Sequence, residues 1–394
     1  MISNSDIEAA VERITPGLVA LRRRLHQHPE LAFEEKETAR AIVEYLSTIG
    51  AEARTGIGKT GVVTELEGAE PGRRIGLRAD IDALPVTEAS GVAFPSQVPG
   101  RMHACGHDVH TVIALGVAHV LSDLRAQMPG SVKLIFQPAE ETLAGAAAMI
   151  ADGVLDGPPL DAIVAYHNWP VLETGLIGYH AGAVMASSDG FDIVLTGRAG
   201  HAAHPHTAID ALVGAAHVIS QLQTVVSREI APSIPTVLTI GQIEGGTARN
   251  VIADRVVLRG TARTLDAAAA KQVEASVRRV VEGAAQSFRL GHEITWTRQA
   301  PVLRNDAAVL ARVLDSARSM LGEDKIVDLG AASMGSEDFA WFAERIPAAH
   351  VKIGSKIAGL ETAIHRANYD CNELAIPIGI RAVTRAVVDL LAEK

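Results

Sequence analysis

The chain has 394 residues, a length that favours two domains, each large enough to bury a core of its own. Its 48% hydrophobic and 21% charged residues are ordinary for a globular protein, and no apolar stretch approaches the roughly 18 residues of a membrane span. The formal net charge of −10 argues against a surface for nucleic acid or anionic membranes, since both reward clustered Lys and Arg, so we expect neither as a partner.

The first part of the chain alternates between helical and strand patterns. Helical periodicity predicts helices over 11–27, 36–49 and 111–126, and short apolar runs predict strands over 62–66, 75–78, 132–137 and 162–166. Gly50 is a stop signal for the second helix, and Pro138 ends the third strand because proline cannot continue a ladder. This alternation predicts an α/β domain with a mostly parallel sheet covered by helices.

The pattern changes between residues 184 and 298. The predicted elements are a strand over 191–196, a helix over 209–226, strands over 235–240 and 255–263, a helix over 267–288 and a strand over 292–296. The order βαββαβ is ferredoxin-like, with helices on one face of an antiparallel sheet. Beyond residue 299 the α/β pattern returns. The sequence therefore predicts a discontinuous domain of 1–183 and 299–394, into which a compact domain of 184–298 is inserted.

The most chemically informative stretch is residues 103–110, which read His-Ala-Cys-Gly-His-Asp-Val-His. Cys105 and His107 can point at one cation if the backbone turns at Gly106. A thiol in this place ionises only when a metal or another positive charge lowers its pKa. The alternative is that a histidine at either end of the stretch simply caps the apolar helix that follows.

Polar side chains also recur close to the carboxyl ends of predicted strands. They are Asp80 and Asp82, Glu140 and Glu141, His167, and His365. Open α/β sheets place their ligands beyond the carboxyl ends of the strands. One such case would be chance, but the repetition predicts a site at this edge of the sheet.

The chain has two cysteines, Cys105 and Cys371, and a disulfide between them is one alternative. A lone cysteine among histidines, however, more often serves as a ligand or a nucleophile. The first eight residues carry neither the basic segment nor the apolar run of a secretory signal. We therefore expect a cytoplasmic protein.

The resemblance to a known family comes from Cys105-Gly106-His107, Glu140-Glu141, His167 and His365, taken in chain order. With these residues the chain resembles the metal-dependent aminoacylase/carboxypeptidase superfamily, and more narrowly its amidohydrolase subfamily of hippurate hydrolases and plant auxin-conjugate hydrolases. The likeness runs nearly end to end, and its motifs are specific together although each alone would be weak. The motifs are Arg-Arg-Arg-Leu-His-Gln-His-Pro-Glu (22–30), Leu-Arg-Ala-Asp-Ile-Asp-Ala-Leu-Pro (77–85), His-Ala-Cys-Gly-His-Asp (103–108), Gln-Pro-Ala-Glu-Glu (137–141), Gly-His-Ala-Ala-His-Pro (200–205) and Met-Gly-Ser-Glu-Asp-Phe (334–339). A superfamily His-x-Asp metal motif is replaced here by Asp80-Ile81-Asp82, a departure that the subfamily shares.

The resemblance implies two divalent metal ions, Mn²⁺ or Zn²⁺, with Co²⁺ or Ni²⁺ as alternatives. The implied ligands are Cys105 as a bridge, with His107, Glu141, His167 and His365. Two such cations can lower the pKa of a water toward ~7 and polarise an amide carbonyl.

The carboxylates near these ligands have implied roles of their own. Glu140, free of the metal, can take the proton of the water and deliver it to the leaving amine; the alternative is an ordinary carboxylate at a strand end. Asp80 and Asp82 are expected to orient histidine ligands from behind, with helix capping as the alternative for Asp80.

The resemblance also assigns residues of the inserted domain. His201 stands where the superfamily has a histidine that reaches the active site of a partner subunit and stabilises an oxyanion. Asn250 and Arg263 stand where the family binds the carboxylate of the substrate, and Arg suits bidentate capture. The alternative for His201 is a loop histidine with local hydrogen bonds, and the alternative for Arg263 is a surface strand residue.

A histidine that reaches the active site of a partner subunit requires an oligomer. We therefore expect a homodimer, or a dimer of dimers, through the inserted domain. No role for Glu337 or Asp338 follows from the sequence.

The implied activity is hydrolysis of N-acyl amino acids, with a hippurate-like, N-acetyl or indole-acetyl substrate, to a carboxylic acid and a free amino acid. A dipeptidase or carboxypeptidase of the same superfamily is one alternative, distinguished by tolerance of a free α-amine on the acyl side. A metal-binding homologue without activity is another. Loss of Glu140 would be the mark of such a homologue, and Glu140 is present.

Overall fold

The computed structural model describes residues 2–393, which form two compact units. The first unit contains residues 2–184, 304–331 and 338–393, and the second contains residues 185–303 and 332–337. The helices are α1 (Asn4–Gln27), α2 (Lys36–Thr48), α3 (His107–Asp123), α4 (Gly145–Ala151), α5 (Ala211–Thr224), α6 (Ala267–Phe288), α7 (Ala307–Leu321), α8 (Ala340–Ala343) and α9 (Ala375–Leu391). The strands are β1 (Ala53–Ile57), β2 (Gly61–Glu67), β3 (Glu70–Asp80), β4 (Pro129–Gln137), β5 (Ala162–Glu173), β6 (Ile177–Tyr179), β7 (Ala183–Met185), β8 (Ser188–Thr196), β9 (Gly200–His201), β10 (Thr236–Gly245), β11 (Val251–Ile252), β12 (Arg255–Thr264), β13 (Gly291–Ala300), β14 (Leu303–Arg304), β15 (Ile326–Asp328) and β16 (Ala348–Lys356).

The first unit is built around an eight-stranded sheet with the strand order β1-β2-β4-β3-β5-β16-β6-β15. The neighbours β4, β3, β5 and β16 run parallel, as do β6 and β15. Antiparallel pairs lie toward the margins, at β1–β2, β2–β4 and β16–β6. This confirms the predicted α/β fold with a mostly parallel sheet.

The helix α3 is the most deeply buried helix segment beside this sheet. Val112, Ile113 and Leu115 have no solvent exposure, and α3 contacts α1, α9 and β3. A helix that is apolar on all sides belongs inside a protein. The helix starts at His107 rather than at the predicted residue 111, directly after Gly106, so neither end histidine of the 103–110 stretch is its cap residue.

Parallel strands bring the predicted polar residues to one edge of the sheet. Asp80 is the last residue of β3, and it pairs with Gln137, the last residue of β4. In the next strand, Ala165 is paired with β3 two residues before His167. Because the carboxyl ends of parallel strands lie together, this edge collects the polar groups.

The strand β5 is longer than the sequence predicted. The predicted strand stops at residue 166, with His167 beyond it, whereas β5 continues to Glu173 and contains His167. Pairing with β16 extends to the register of Lys356 with Glu173, so the ladder with a neighbour holds the extra residues in a strand. Pro170 conceals this in the sequence, since proline usually argues against a central strand.

The second unit has a four-stranded antiparallel sheet with the order β10-β12-β8-β13. Along the chain its elements run β8-α5-β10-β12-α6-β13, which is the βαββαβ order. The helices α5 and α6 pack on each other, and Val256, Leu258 and Val277 belong to their shared core with the sheet. The segment 184–298, expected as an inserted domain, lies almost entirely in this unit. Its role in dimerisation stays a prediction.

Of the helices in residues 2–393, none combines the length and the apolar character that crossing a membrane would need.

Candidate metal centre

The turn between Cys105 and His107 requires glycine. Gly106 has a φ of 83°, a left-handed conformation that side chains disfavour. A Cβ at this position would also lie 2.3 Å from the Tyr369 hydroxyl and 2.4 Å from Oδ1 of Asn168. The turn and the close packing therefore both exclude a side chain, and the ligand atoms of the two flanking residues lie within 4.8 Å of each other.

The five side chains expected as ligands come together in the first unit. The Cys105 Sγ lies 3.3 Å from His167 Nε2, and His107 Nε2 lies 3.7 Å from Glu141 Oε1. The ligand atoms of Cys105, His107 and His167 all lie within 4.8 Å of one another, and so do those of Cys105, Glu141 and His365. Cys105 belongs to both sets, which is the position that a bridging ligand needs.

His365 differs from the other four in its surroundings. Its side chain is 51% exposed, and its Nε2 lies 3.3 Å from Glu141 Oε2. Its backbone is left-handed, with a φ of 65°, and its N–H donates to the carbonyl of Ala104 at 2.8 Å. A non-glycine residue in this conformation is uncommon and indicates that the surrounding structure imposes it.

Hydrogen bonds fix which nitrogen of each buried histidine faces the cluster. His107 Nδ1 lies 3.2 Å from Asp82 Oδ1, and His167 Nδ1 lies 2.6 Å from the carbonyl of Asn168. Both partners are acceptors, so each Nδ1 carries a proton and each Nε2 faces the cluster as the nitrogen that would bind a cation. Over the part of the chain that the structure describes, His107 Nε2 and Glu141 Oε1 are buried without a hydrogen-bond partner. Buried polar atoms are rarely left so, and the donor set therefore fits bound metal ions.

Without a cation, the charges of the cluster are poorly balanced. Burial, followed by the charge of Glu141, raises the pKa of the Cys105 thiol well above its usual range. Burial opposes a charged His107, but the carboxylates of Asp80 and Asp82 outweigh burial and raise its pKa to about 10. A bound cation would instead stabilise the thiolate and the neutral imidazole.

Asp82 organises the loop that follows β4. Its Oδ1 accepts the N–H of Glu140 at 3.1 Å and lies within reach of His107, and its Oδ2 accepts the N–H of Glu141 at 3.1 Å. One buried carboxylate thus fixes an imidazole and two consecutive amides. Asp82 therefore holds the backbones of Glu140 and Glu141 in a constant relation to His107.

Asp80 is occupied with bracing the strand ends. Its Oδ2 accepts from Arg78 at 2.8 Å, and its Oδ1 lies 2.5 Å from His110 Nδ1. The other nitrogen of His110 accepts the N–H of Asn168 at 2.8 Å. Burial opposes ionisation of Asp80, but its contacts with His107, His110 and Arg78 hold its pKa well below the usual range. The pair of Asp80 and His110 therefore ties β3 to α3 and β5.

Asp338, for which no role was predicted, also stabilises the loop after β4. Its Oδ1 accepts from Gln137 Nε2 at 2.7 Å and from Arg78 at 3.1 Å, and its Oδ2 accepts the N–H of Ala146 at 2.9 Å. It therefore holds both ends of the segment that contains Glu140. The signal in the sequence was Arg78, since a charged residue inside an apolar strand needs a buried partner.

The second unit holds the other three predicted site residues. His201 is exposed in β9, and its Nδ1 accepts the N–H of Ala203 at 3.1 Å. Asn250 is close to it, since its carbonyl accepts the N–H of Ala202 at 3.0 Å. Arg263 lies on β12, where its NH1 donates to the carbonyl of Met334 at 3.3 Å and to Ser336 at 3.2 Å. The structure thus brings His201 and Asn250 together, and Arg263 holds a segment of the same unit.

A buried thiol, imidazoles and carboxylates at the edge of a mostly parallel sheet, with a further carboxylate beside a ligand, are typical of metal-dependent hydrolases. The chain belongs to the peptidase family M20/M25/M40, whose family model matches residues 76–389. This membership confirms the resemblance that the motifs indicated.

Relatives and a solved structure agree with this assignment. The chain is 41% identical over 338 residues to an N-acetyl-L-cysteine deacetylase of Bacillus subtilis (strain 168), which covers 86% of this chain and 80% of the relative. It is 40% identical over 293 residues to an N-acyl-L-amino acid amidohydrolase of Geobacillus stearothermophilus, covering 74% and 79%. A crystal structure from Bacillus subtilis, described as a dinuclear metal-binding peptidase of the M20 family, matches with a TM-score of 0.85 and 37% identity over 97% of this chain and 99% of that one.

Proposed function

We propose that this protein is a metal-dependent amidohydrolase that cleaves N-acyl amino acids to a carboxylic acid and a free amino acid. The observation that carries the proposal is the convergence of two ligand sets that share Cys105, with Glu140 next to one of the ligands. The substrate class is supported by relatives that are named for N-acetylcysteine, N-acyl-L-amino acids and N-acetyldiaminopimelate.

The proposed cofactor is a pair of divalent cations. The side chains that would hold them are Cys105, His107, Glu141, His167 and His365. When bound, such ions lower the pKa of a water and polarise an amide carbonyl. Thiolate and imidazole ligands suit Zn²⁺, Co²⁺ and Ni²⁺, whereas a carboxylate ligand such as Glu141 suits Mn²⁺. We therefore propose Mn²⁺ or Zn²⁺, with Co²⁺ or Ni²⁺ as alternatives.

Glu140 is the proposed general base and acid. Its carboxylate would take the proton of the attacking water and then deliver it to the nitrogen of the leaving amine. Glu140 is buried, and its backbone N–H is bonded to Asp82. Asp82 also orients His107, so the proton acceptor and a ligand keep a constant relation.

The substrate is proposed to carry a free carboxylate and a planar or apolar acyl group, such as benzoyl (as in hippurate), indole-acetyl or acetyl. Asn250 and Arg263 are the proposed anchors of the carboxylate. A guanidinium has five N–H donors, and in Arg263 those on NH1 already donate to Met334 and Ser336. The donors on Nε and NH2 are the ones proposed to bind the carboxylate.

We propose that the reaction takes place in the cytoplasm, where free thiols such as Cys105 stay reduced.

Blocking the carboxylate of the substrate is expected to lower kcat/KM by ~100-fold or more, roughly 3 kcal/mol, because Arg263 would lose its charge-assisted hydrogen bonds to that carboxylate. The measurement compares N-benzoyl-glycine, N-acetyl and indole-acetyl amino acids with their carboxamides. Changes on the acyl side should matter less, since a methylene contributes only about 0.8 kcal/mol. The matched variant Arg263→Ala should lose most of the discrimination. Equal rates on free and blocked substrates would remove the proposed anchor.

We propose that the protein is a homodimer, or a dimer of dimers, through the second unit. Its edge strand β10 exposes Val237 (37%) and Ile243 (51%), and an exposed apolar edge is open to pairing. In this arrangement His201 would act in the active site of the partner subunit. Because Nδ1 of His201 accepts the N–H of Ala203, its Nε2 carries the proton that an oxyanion needs.

The action of His201 in trans can be tested with two inactive variants, His201→Ala and Glu140→Gln. A mixed dimer of the two has one complete site, so exchange at equal amounts should restore about a quarter of the wild-type rate by random pairing. Each variant alone, and a mixture of His201→Ala with the double variant, should remain inactive after the same treatment. No recovery in subunits that demonstrably exchange would contradict a role in trans.

A further inference from the structure

Three non-glycine residues with left-handed backbones lie within two residues of a buried carboxylate, Glu35, or of its hydrogen-bond partners in the first unit. They are Phe33 (φ 64°), Lys59 (φ 76°) and Ala139 (φ 53°). Glu35 links their three segments, since its Oε1 accepts the N–H of Ala139 at 2.9 Å and its Oε2 accepts the hydroxyl of Thr60. Strained backbone of this kind persists only where the surrounding structure imposes it, and it concentrates at functional sites.

Glu35 is free to make these contacts because another residue caps the helix that follows it. A carboxylate just before a helix usually accepts the N–H groups of the first turn. In α2, Glu30 does so: its Oε1 accepts the N–H of Glu37 at 3.1 Å, and its Oε2 accepts the N–H and the hydroxyl of Thr38 at 2.8 and 2.9 Å. Within the described structure Glu35 makes no cap bond to α2, and its side chain is fully buried.

The contact with Ala139 leads directly to Glu140. The N–H of Ala139 is held by Glu35, and the next N–H is held by Asp82 at 3.1 Å. Two carboxylates from different segments therefore fix two successive peptide units, and the side chain of Glu140 starts from a defined backbone. If the bond to Glu35 were lost, Ala139 could relax out of its left-handed conformation and turn Glu140. Glu141 would keep its own bond to Asp82.

We infer that Glu35 is a positioning residue for the catalytic action of Glu140, acting through the backbone of Ala139. The inference rests on the proposed function, in which Glu140 moves the proton. Glu35 is outside the two ligand sets, so its removal should leave the metal content unchanged. The loss should fall on kcat, with KM little changed, because only the orientation of the proton acceptor is altered.

Two substitutions of Glu35 separate its hydrogen bonds from its charge. Glu35→Ala removes both acceptors and is expected to lower kcat by about 10- to 100-fold, the scale of a misplaced catalytic group. KM should change by less than about threefold, and metal content should stay at the wild-type value. Glu35→Gln keeps an oxygen for Ala139 and can donate its amide N–H to Thr60, so kcat should stay within about threefold of wild type.

A control variant reports the effect of lost stability alone. Asp306→Ala removes a carboxylate that caps α7 by accepting the N–H groups of Ala308 and Val309 at 2.9 and 3.0 Å. Loss of such a cap typically costs about 1 kcal/mol of stability. This variant should have a lower Tm and an unchanged kcat. If Glu35→Ala does not fold, Glu35→Asp takes its place, since it keeps the charge and shortens the reach by one methylene.

Hydrogen exchange of the metal-free protein gives a measurement that does not depend on activity. In Glu35→Ala, a peptide spanning residues 137–146 should exchange faster than in wild type and in Asp306→Ala. The inference is overturned by an unchanged kcat, by a loss that follows metal content, or by a Glu35→Gln variant as slow as Glu35→Ala. If wild type cleaves no N-acyl amino acid, the proposed function fails; unchanged exchange at 137–146 would overturn the contact itself.

Discussion

Glu140→Gln is expected to lower kcat by about a thousandfold, roughly 4 kcal/mol in the barrier, while KM and metal content stay near wild type. Glutamine has almost the same size, and the backbone bond to Asp82 does not involve the side chain. The substitution therefore removes the ability to take and return a proton and leaves the backbone bond to Asp82 in place. Steady-state kinetics on an N-acyl amino acid, together with metal analysis of the purified variant, measure both parts of the expectation.

The matched control for this variant is Glu173→Gln, which removes the same charge from the same unit. Glu173 is an exposed residue at the end of β5 and pairs with Lys356 at 2.5 Å. Its substitution should leave kcat within about twofold of wild type, because exposed ion pairs contribute little. A decrease in kcat of less than about tenfold for Glu140→Gln, near 1.4 kcal/mol, would show that Glu140 is not the general base and acid.

Cys105→Ser is expected to lose most of the bound metal and nearly all activity while remaining folded. Cys105 is the member common to both ligand sets, so its loss weakens both ion positions at once. A serine hydroxyl is a much weaker acid than a thiol and does not supply the anion that a shared ligand must be. Metal analysis, activity and circular dichroism of the same preparation separate a lost site from a lost fold.

Cys371→Ser is the matched control, since Cys371 is the other buried free cysteine. Its sulfur lies 3.7 Å from NH2 of Arg22, outside the two ligand sets. This variant should keep its metal and its rate. Unchanged metal content and rate in Cys105→Ser would contradict the bridging role.

The elements that the sequence predicted best are those whose ends are determined locally. The helix α6 spans the predicted residues 267–288 because Asp266 caps it by accepting the N–H groups of Ala268 and Ala269, at 2.9 and 2.8 Å. The end of β5 was wrong because pairing with β16, remote in sequence, extends the strand through Pro170. Strand lengths follow the neighbouring strands, which a single sequence does not reveal.

The same distinction applies to the site. Cys105 and His107 are close in the sequence, so their shared geometry was predictable from a glycine turn. Glu35 was hidden in a charged run that is typical of a solvated helix start, and its partner Ala139 lies 104 residues away. The contact of Asp338 with Gln137 spans 201 residues. Bracing groups of this kind are recognised by burial and geometry, and neither is written in local sequence patterns.

The contrast between His365 and the buried ligands bears on how the protein exchanges its metal. Cys105, His107 and His167 are buried, so an ion that they hold would lie among buried side chains, whereas His365, which would help to hold the second ion, is half-exposed. The outer ion, next to His365, should therefore exchange with metal in solution faster than the inner ion, which Cys105, His107 and His167 would hold. A preparation with one ion per chain would then be an ordered stage of loading, with the inner position filled and the outer position following the supply of metal in the surroundings.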